Sequence, residues 1–205
     1  MAHQACVSGA LVFRADPLDA DAELMLRLQQ GEPACLGGLL EKHRASLVHF
    51  LYRMVQNQAV AEELAQDVFL RVYCSRARYR PTARFSSWLY RIATNLALNW
   101  LRDHRHERNH ESLGATPRKA PPRQLADRRL RIDQAILREA KLREVRRAVA
   151  ALPDMQRAVV LMHKHSEMEY SEIAQALGCS TQSVKSRLFR AYITLRVRLA
   201  HLNGA

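Results

Sequence analysis

The stretch YSEIAQALGCSTQSVKSRLFRAYITLRVRL, Tyr170 to Leu199, holds the residues whose spacing speaks most directly of chemistry. Gln182, Ser183, Ser186, Arg187 and Arg190 crowd one side of an amphipathic segment, with Lys185 on the flank. Val184, Leu188, Ala191 and Leu195 recur at helical spacing on the other. No acid interrupts the polar side. Such a face suits a polyanion. Arg or Lys can pair with guanine O6 and N7 in a major groove, and the backbone amides of a helix start favour a phosphate. Just upstream, Ile173, Ala174 and Leu177 make the inner side of a short helix that Ser171 could cap. Gly178 stands where a tight interhelical turn needs a left-handed residue, and Ser180 or Thr181 can cap the second helix. An amphipathic hairpin with a solvated basic face is the bland alternative. The glycine turn, small caps and acid-free face favour a DNA-binding helix-turn-helix.

A second set lies about 90 residues earlier. Arg84, Trp88, Arg91, Asn95, Asn99 and Arg102 recur at steps of four, three, four, four and three, which places them on one stripe of a helix. Tyr79, Arg80 and Phe85 precede or open it. Asn can make paired hydrogen bonds to a base edge, Arg neutralises phosphate, and exposed aromatics stack on unpaired bases. Arg and aromatics together suit single-stranded or opening DNA. Taken singly, Phe85, Trp88 and Tyr90 read as core residues; taken as a stripe, the set favours nucleic acid. Leu89, Ile92, Leu96 and Trp100 form the apolar face of the same helix. Between the two sets in character is an acidic surface of Glu62, Glu63, Gln66 and Asp67, with Leu70 beside it. Helix-dipole compensation explains Glu62 and Glu63 better than Asp67. A docking face for a basic protein is the functional alternative.

The elements that must position these residues are helical. Seven Gly and seven Pro in 205 residues leave long stretches without a breaker, and alternating β-branched runs are scarce. The predicted helices cover about Ala22–Gln30, Pro33–Val55, Gln58–Arg76, Ser86–His106, Arg128–Ala151, Pro153–His165, Tyr170–Leu177 and Thr181–Leu199. Asp19 or Asp21 can cap the first, and Gly31 ends it. Val60, Leu64, Val68 and Val72 mark the buried stripe of the third. Gly114, Pro117, Pro121 and Pro122 fall in an aperiodic segment, read as a linker. The expectation is an all-α protein of two small bundles joined by a flexible linker. Residues 1–18 form a loose tail, 19–108 the first bundle, 109–127 the linker and 128–205 the helix-turn-helix bundle.

Charge follows the same division. The net charge is +12. Residues 71–110 hold nine Arg against two acids, and residues 181–205 hold five basic groups and no acid. Two separated basic segments suggest two contacts with a polyanion. Cys6, Cys35, Cys74 and Cys179 contain no C-x-x-C, so neither a disulfide framework nor a zinc site is expected; Cys74 and Cys179 read as small packing residues. No cofactor or metal is expected. No apolar run approaches membrane-spanning length and the N-terminus is a poor signal peptide, which points to the cytoplasm.

Three segments, in order, resemble the extracytoplasmic-function sigma factors of bacterial RNA polymerase, in the sigma-70 superfamily. They are AEELAQDVFLRVY (Ala61–Tyr73), FSSWLYRIATNLALNWLR (Phe85–Arg102) and the run from Ala151 to Leu195. With a looser match over Ala22–Tyr52 the resemblance covers about 160 residues. It implies that the first bundle binds core polymerase and opens the promoter at its minus-ten element. Glu62, Gln66, Asp67, Phe69 and Leu70 would then lie on the clamp coiled coil. The loop from Tyr79 to Phe85 would capture a flipped base, while Trp88, Arg91, Asn95, Asn99 and Arg102 line the separating strands. The second bundle would read the minus-thirty-five element. Sigma factors are not enzymes, and an anti-sigma factor often restrains them. Ser183 stands where the family often has Thr, and the RYRPTARF loop is unusually Arg-rich. Two alternatives remain: a conventional helix-turn-helix repressor or activator, and a nucleic-acid enzyme, for which no clustered carboxylates or nucleophile–base set is visible.

Overall fold

The structure, a computed structural model, describes residues 19–104 and 129–202, the side chains of 129–137 and of His165 aside. The expected tail (1–18) and linker (109–127) lie outside the described residues. Among the described residues every regular element is helical, and no helix is long and apolar enough to cross a membrane.

The first bundle holds α1 (Ala20–Gln29), α2 (Ala34–Val55), α3 (Gln58–Ser75) and α4 (Phe85–Asp103). Asp19 caps α1, its Oδ1 accepting from the Asp21 amide at 3.3 Å. Gly31, with φ at +99°, turns the chain toward Pro33, which sits just before α2. Asn57 caps α3 by accepting from the Val60 amide. Leu64, Val68 and Val72 are buried at the expected spacing, with Val60 partly buried against them. The long α2 is the centre, packed by α1, α3 and α4. Its Leu39, Leu47, Phe50, Leu51 and Met54 are buried, and Phe50 meets Tyr90 of α4 edge-on at 5.0 Å. Burying each such side chain contributes roughly 1.5–3 kcal/mol, which is why α2 can tolerate Gly37 and Gly38 in its first turns.

The second bundle holds α5 (Arg129–Ala150), α6 (Asp154–His165), α7 (Tyr170–Leu177) and α8 (Thr181–Arg198). Val159, Leu161 and Met162 of α6, Ile173 of α7, and Val184, Leu188 and Ala191 of α8 are buried together. Short 3₁₀ segments follow α3 at Arg76–Arg78 and α8 at Ala200–Leu202.

The bundles touch each other. Helix α4 packs on α7, α2 packs on α6, and the apolar core runs through both. Arg157 of α6 has a side chain only 3% exposed. It donates from Nη1 to the Met54 carbonyl at 2.5 Å, across the boundary. Its Nη2 donates to the Leu152 carbonyl at 3.1 Å and to Asp154 Oδ1 at 3.2 Å within its own bundle. Arg84, just before α4, pairs with Glu172 of α7 at 3.0 Å. The linker's composition suggested two separate bodies. Composition reports the covalent connection and is silent on faces that meet without it.

Candidate nucleic-acid interface

In α7 and α8 the positions are set by local chemistry. The cap of α7 is not Ser171, which lies inside the helix, but Glu169. The Glu172 carboxylate accepts from the Glu169 amide at 2.7 Å through Oε2, satisfying one donor that a helix start leaves open. Gly178 adopts φ +61°, where a Cβ would be strained, and its amide returns to the end of α7. Ser180 then caps α8, its Oγ accepting from the Ser183 amide at 3.2 Å. With Val184, Leu188 and Ala191 turned inward, Gln182, Lys185, Ser186, Phe189 and Arg190 share one open outer surface. Ser183 is half-buried on its edge. Arg187 leaves this surface: half-buried, it reaches back toward the turn, with Nη1 3.7 Å from Cys179 Sγ. Phe189, 67% exposed, is a member the polar pattern did not reveal. Its signal was a large aromatic three and four residues past Ser186 and Lys185, on the side away from the core. Ile193 and Val197, also exposed, continue its stripe, so the outer face turns from basic to apolar along α8.

Helix α4 presents a different surface. Arg91, Asn95, Asn99 and Arg102 are exposed on one stripe, and Arg102 pairs with Asp103 at 3.3 Å. The aromatics beneath them are mostly withdrawn. Phe85 is fully buried and Tyr79 is 5% exposed, so neither offers a face to a base as the protein stands. This corrects the expectation for both residues. The reason is a cluster. Tyr79 and Trp88 rings lie 5.0 Å apart, Phe85 and Trp88 5.8 Å, and His43 of α2 lies 5.5 Å from Phe85. Apolar rings gain more from one another than from water. Burial first, and then Asp19 and Asp21, push the Tyr79 hydroxyl up to about 12, so it stays protonated. Asp21 is itself buried, held by Lys42 Nζ at 2.7 Å and His43 Nε2 at 2.9 Å. Trp88 is half-buried at the rim of this cluster, the one ring that reaches the stripe, and Arg80 is exposed in the loop. Arg84 turns instead toward Glu172.

On α3, Glu62, Gln66 and Asp67 are exposed and Leu70 is 60% exposed. Phe69 is not: it is buried in the first bundle and unavailable for docking, a second correction. Its position one residue from Leu70 places it on the inner arc with Ala65 and Val72. Glu62 also lines a groove of about 440 Å³ with Leu40, Glu41, Arg44, Ala45 and Val48 of α2. Sequence periodicity on α3 alone could not have shown that α2 shares this surface. Cys74, expected to pack, is exposed, whereas Cys179 is half-buried against Arg187.

Comparison with known proteins adds the decisive observation. Residues 39–107 match the model for Sigma-70 region 2, and residues 142–195 match that for Sigma-70, region 4. The chain is 34% identical over 180 residues to the RNA polymerase sigma factor CarQ of Myxococcus xanthus, spanning 87% of this chain and 97% of the relative. It belongs to the extracytoplasmic-function sigma factors of the sigma-70 family. SigW of Bacillus subtilis is 27% identical over 178 residues, covering 86% of this chain and 95% of that one. In fold, the chain is similar to CnrH in its complex with the cytosolic domain of CnrY, with a TM-score of 0.64 at 21% identity over 89% of this chain and 99% of that one. It is also similar to RpoE bound to the anti-sigma factor NepR from Bartonella quintana, with a TM-score of 0.60 at 20% identity over 80% and 96% of the two chains.

Core RNA polymerase and promoter DNA are therefore this sigma factor's partners. The region 2 match spans most of α2 and all of α3 and α4; the region 4 match runs from within α5 to Leu195 of α8. The two Arg-bearing surfaces thus fall in the two matched regions, one in each. Sigma factors are, as a family, transcription initiation factors rather than catalysts.

Proposed function

We propose that this sigma factor divides promoter reading between its bundles, with α8 on duplex DNA and α4 on opening DNA. The observation that carries it is the contrast of two exposed faces: one acid-free and basic at a capped helix start, the other an Arg and Asn stripe with a tryptophan at its rim. On the minus-thirty-five element, Lys185 and Arg190 are the base-edge and phosphate donors, Gln182 and Ser186 supply shorter polar contacts, and Phe189 meets a thymine methyl. Arg187 and Ser183 support the turn and act from the edge. On the minus-ten element, Arg80, Arg91 and Arg102 neutralise phosphate, Asn95 and Asn99 address base edges, and Trp88 stacks on an unpaired base. Tyr79 and Phe85 hold the loop and Trp88 from below. Glu62, Gln66, Asp67 and Leu70, with the groove beside α2, dock on the polymerase clamp coiled coil. The protein acts in the cytoplasm without a cofactor or catalytic group of its own, and an anti-sigma factor restrains it. RpoE, which shares the fold, is seen in complex with the anti-sigma factor NepR, and CnrH, also of this fold, with the cytosolic domain of CnrY.

Run-off transcription with purified core polymerase tests this. Initiation on a cognate promoter should depend on the added chain. Absence of chain-dependent initiation on every promoter its regulon supplies would overturn it. A chain that binds duplex DNA specifically but never associates with core polymerase would instead behave as a conventional helix-turn-helix regulator.

A further inference from the structure

A carboxylate is buried at the start of α1. Asp21 is 4% exposed, and both of its oxygens are taken. Oδ1 accepts from Lys42 Nζ at 2.7 Å, and Oδ2 lies 2.9 Å from His43 Nε2. A carboxylate oxygen accepts, so this contact places an imidazole proton on Nε2. The Lys42 side chain stays largely in solvent, whereas that of His43 is 11% exposed and turned inward. Burying a charge is costly, and a well-packed apolar residue would join α1 to α2 at least as well. What an apolar residue could not do is fix the rotation of an imidazole. The Asp21 carboxylate does so, because its bond to Nε2 selects one setting of the ring.

The ring so fixed is the base of a stack that ends at the proposed strand-opening surface. His43 lies 5.5 Å from Phe85, Phe85 lies 5.8 Å from Trp88 and 6.4 Å from Tyr79, and Tyr79 lies 5.0 Å from Trp88. Each spacing is that of rings in contact. Phe85 is fully buried and Trp88 half-buried, so support runs from inside to outside in that order. Tyr79 depends most on its neighbours. Its hydroxyl is buried without a hydrogen-bond partner among the described residues, which costs free energy. Helix α1 steadies this group from both of its ends. Gln29 Nε2 donates to the Ala77 carbonyl at 2.9 Å, two residues before Tyr79, and Asp21 holds His43. Joining α1 to α2 would need only Asp21 and Lys42. The inward ring of His43 is surplus to that task, and it is what connects α1 with Phe85.

We propose, on the reading of Trp88 as the ring that stacks on an unpaired base, that His43 oriented by Asp21 is a positioning residue for strand opening. It touches no DNA and sets the height and tilt of Trp88 through Phe85. Stacking favours a ring that is already placed; a ring free to rock must be ordered when the base arrives, at a cost in free energy. The contribution of His43 therefore falls on the opening step. Recognition of duplex DNA by α8 does not draw on it.

The test is open-complex formation by the full chain with core polymerase, on a closed promoter and on the same promoter with a pre-melted bubble, over a range of holoenzyme concentrations. His43→Gln keeps a donor for Asp21 and removes the ring; His43→Phe keeps a ring and removes the donor. Each should lower the saturating rate on the closed promoter about five- to tenfold, toward the low end of what loss of one base stack costs. The half-saturating concentration should hold, and the bubble template should change far less, which a loss of folded protein would not produce. Acrylamide quenching of tryptophan emission in the free chain reads the ring directly and should rise in His43→Gln, with helical content by circular dichroism retained. A folded His43→Gln chain with wild-type opening and quenching, or a loss equal on both templates, would reduce His43 to a fastener of α1. Trp88→Ala on the same templates separates this failure from failure of the reading beneath it. A selective Trp88→Ala loss beside unaffected His43 variants counts against positioning alone. A Trp88→Ala loss equal on both templates sinks the stacking reading and the role of His43 with it.

Discussion

Helices α4 and α8 both carry exposed Arg, yet they treat their aromatic residues in opposite ways. On α8 the ring of Phe189 stands out on the reading face while small and branched residues fill the core. On α4 the rings of Phe85 and Tyr90 are inside, while Trp88 and Trp100 are half-buried, Trp88 over the Tyr79 and Phe85 rings and Trp100 stacked on His104. The difference suits the substrates. A closed duplex offers groove edges and methyl groups to a protruding helix. An opening strand offers unpaired faces, and a tryptophan supported from below by Tyr79 and Phe85 is preorganised to stack. On the proposed division, the reader depends on its own surface, and the opener depends on what lies under its surface.

The sharpest way to break this contrast is to remove the support and leave the surface. Phe85→Ala deletes a fully buried ring at the start of α4. It should destabilise the first bundle by roughly 3–5 kcal/mol, since the cavity cannot collapse fully under two packed rings. The expected readout is a lower midpoint for denaturant unfolding, with minus-ten function lost and duplex binding by α8 retained in the folded fraction. A near-neutral Phe85→Ala would mean that Phe85 is not the support described here.

Next in size are the reading contacts. Lys185→Ala or Arg190→Ala should change the upstream sequence preference by roughly 1–3 kcal/mol if either makes a good bidentate contact. Arg187→Ala should do less, because its guanidinium is already turned to Cys179. Competition binding against single-base variants of the upstream element measures this. Equal losses on all sequences would reduce these residues to phosphate contacts. Loss of stacking in Trp88→Ala should also amount to roughly 1–3 kcal/mol, but on opening alone. Initiation should fall on a closed promoter and change far less on a pre-melted bubble. Equal impairment on both would put Trp88 with Phe85, as support.

These expectations also mark what the sequence could and could not disclose. The helix-turn-helix was legible because its determinants are local: Gly178, Ser180 and the i, i+4 run Val184, Leu188 and Ala191 all act within a few residues. Even there, Ser171 looked like a cap, while the structure uses Glu169 with Glu172 three residues on, a capping box that is itself local. The stripe Arg91, Asn95, Asn99 and Arg102 was legible for the same reason of period. The fate of Tyr79 and Phe85 was not, since it is settled by His43 and by the buried Asp21, which come from other helices. The burial of Phe69 and the α2 side of the groove beside Glu62 were hidden for the same reason. Periodicity says which residues share a face, and tertiary packing says which face is inside.

The smallest effect asks whether Phe189 belongs to the reader at all. Its neighbours Ile193 and Val197 make an exposed apolar stripe with it, and such stripes also serve protein partners. A thymine methyl against the ring is worth about 0.8 kcal/mol of burial. Replacing thymine by uracil across the upstream element should therefore weaken wild-type binding by about that much at the contacted base, and Phe189→Ala should abolish the difference between the two DNAs. If Phe189→Ala leaves the thymine–uracil difference intact and weakens association with core polymerase, the aromatic belongs with Ile193 and Val197. The reading face of α8 would then be wholly polar, and the contrast with α4 would rest on buried rings alone.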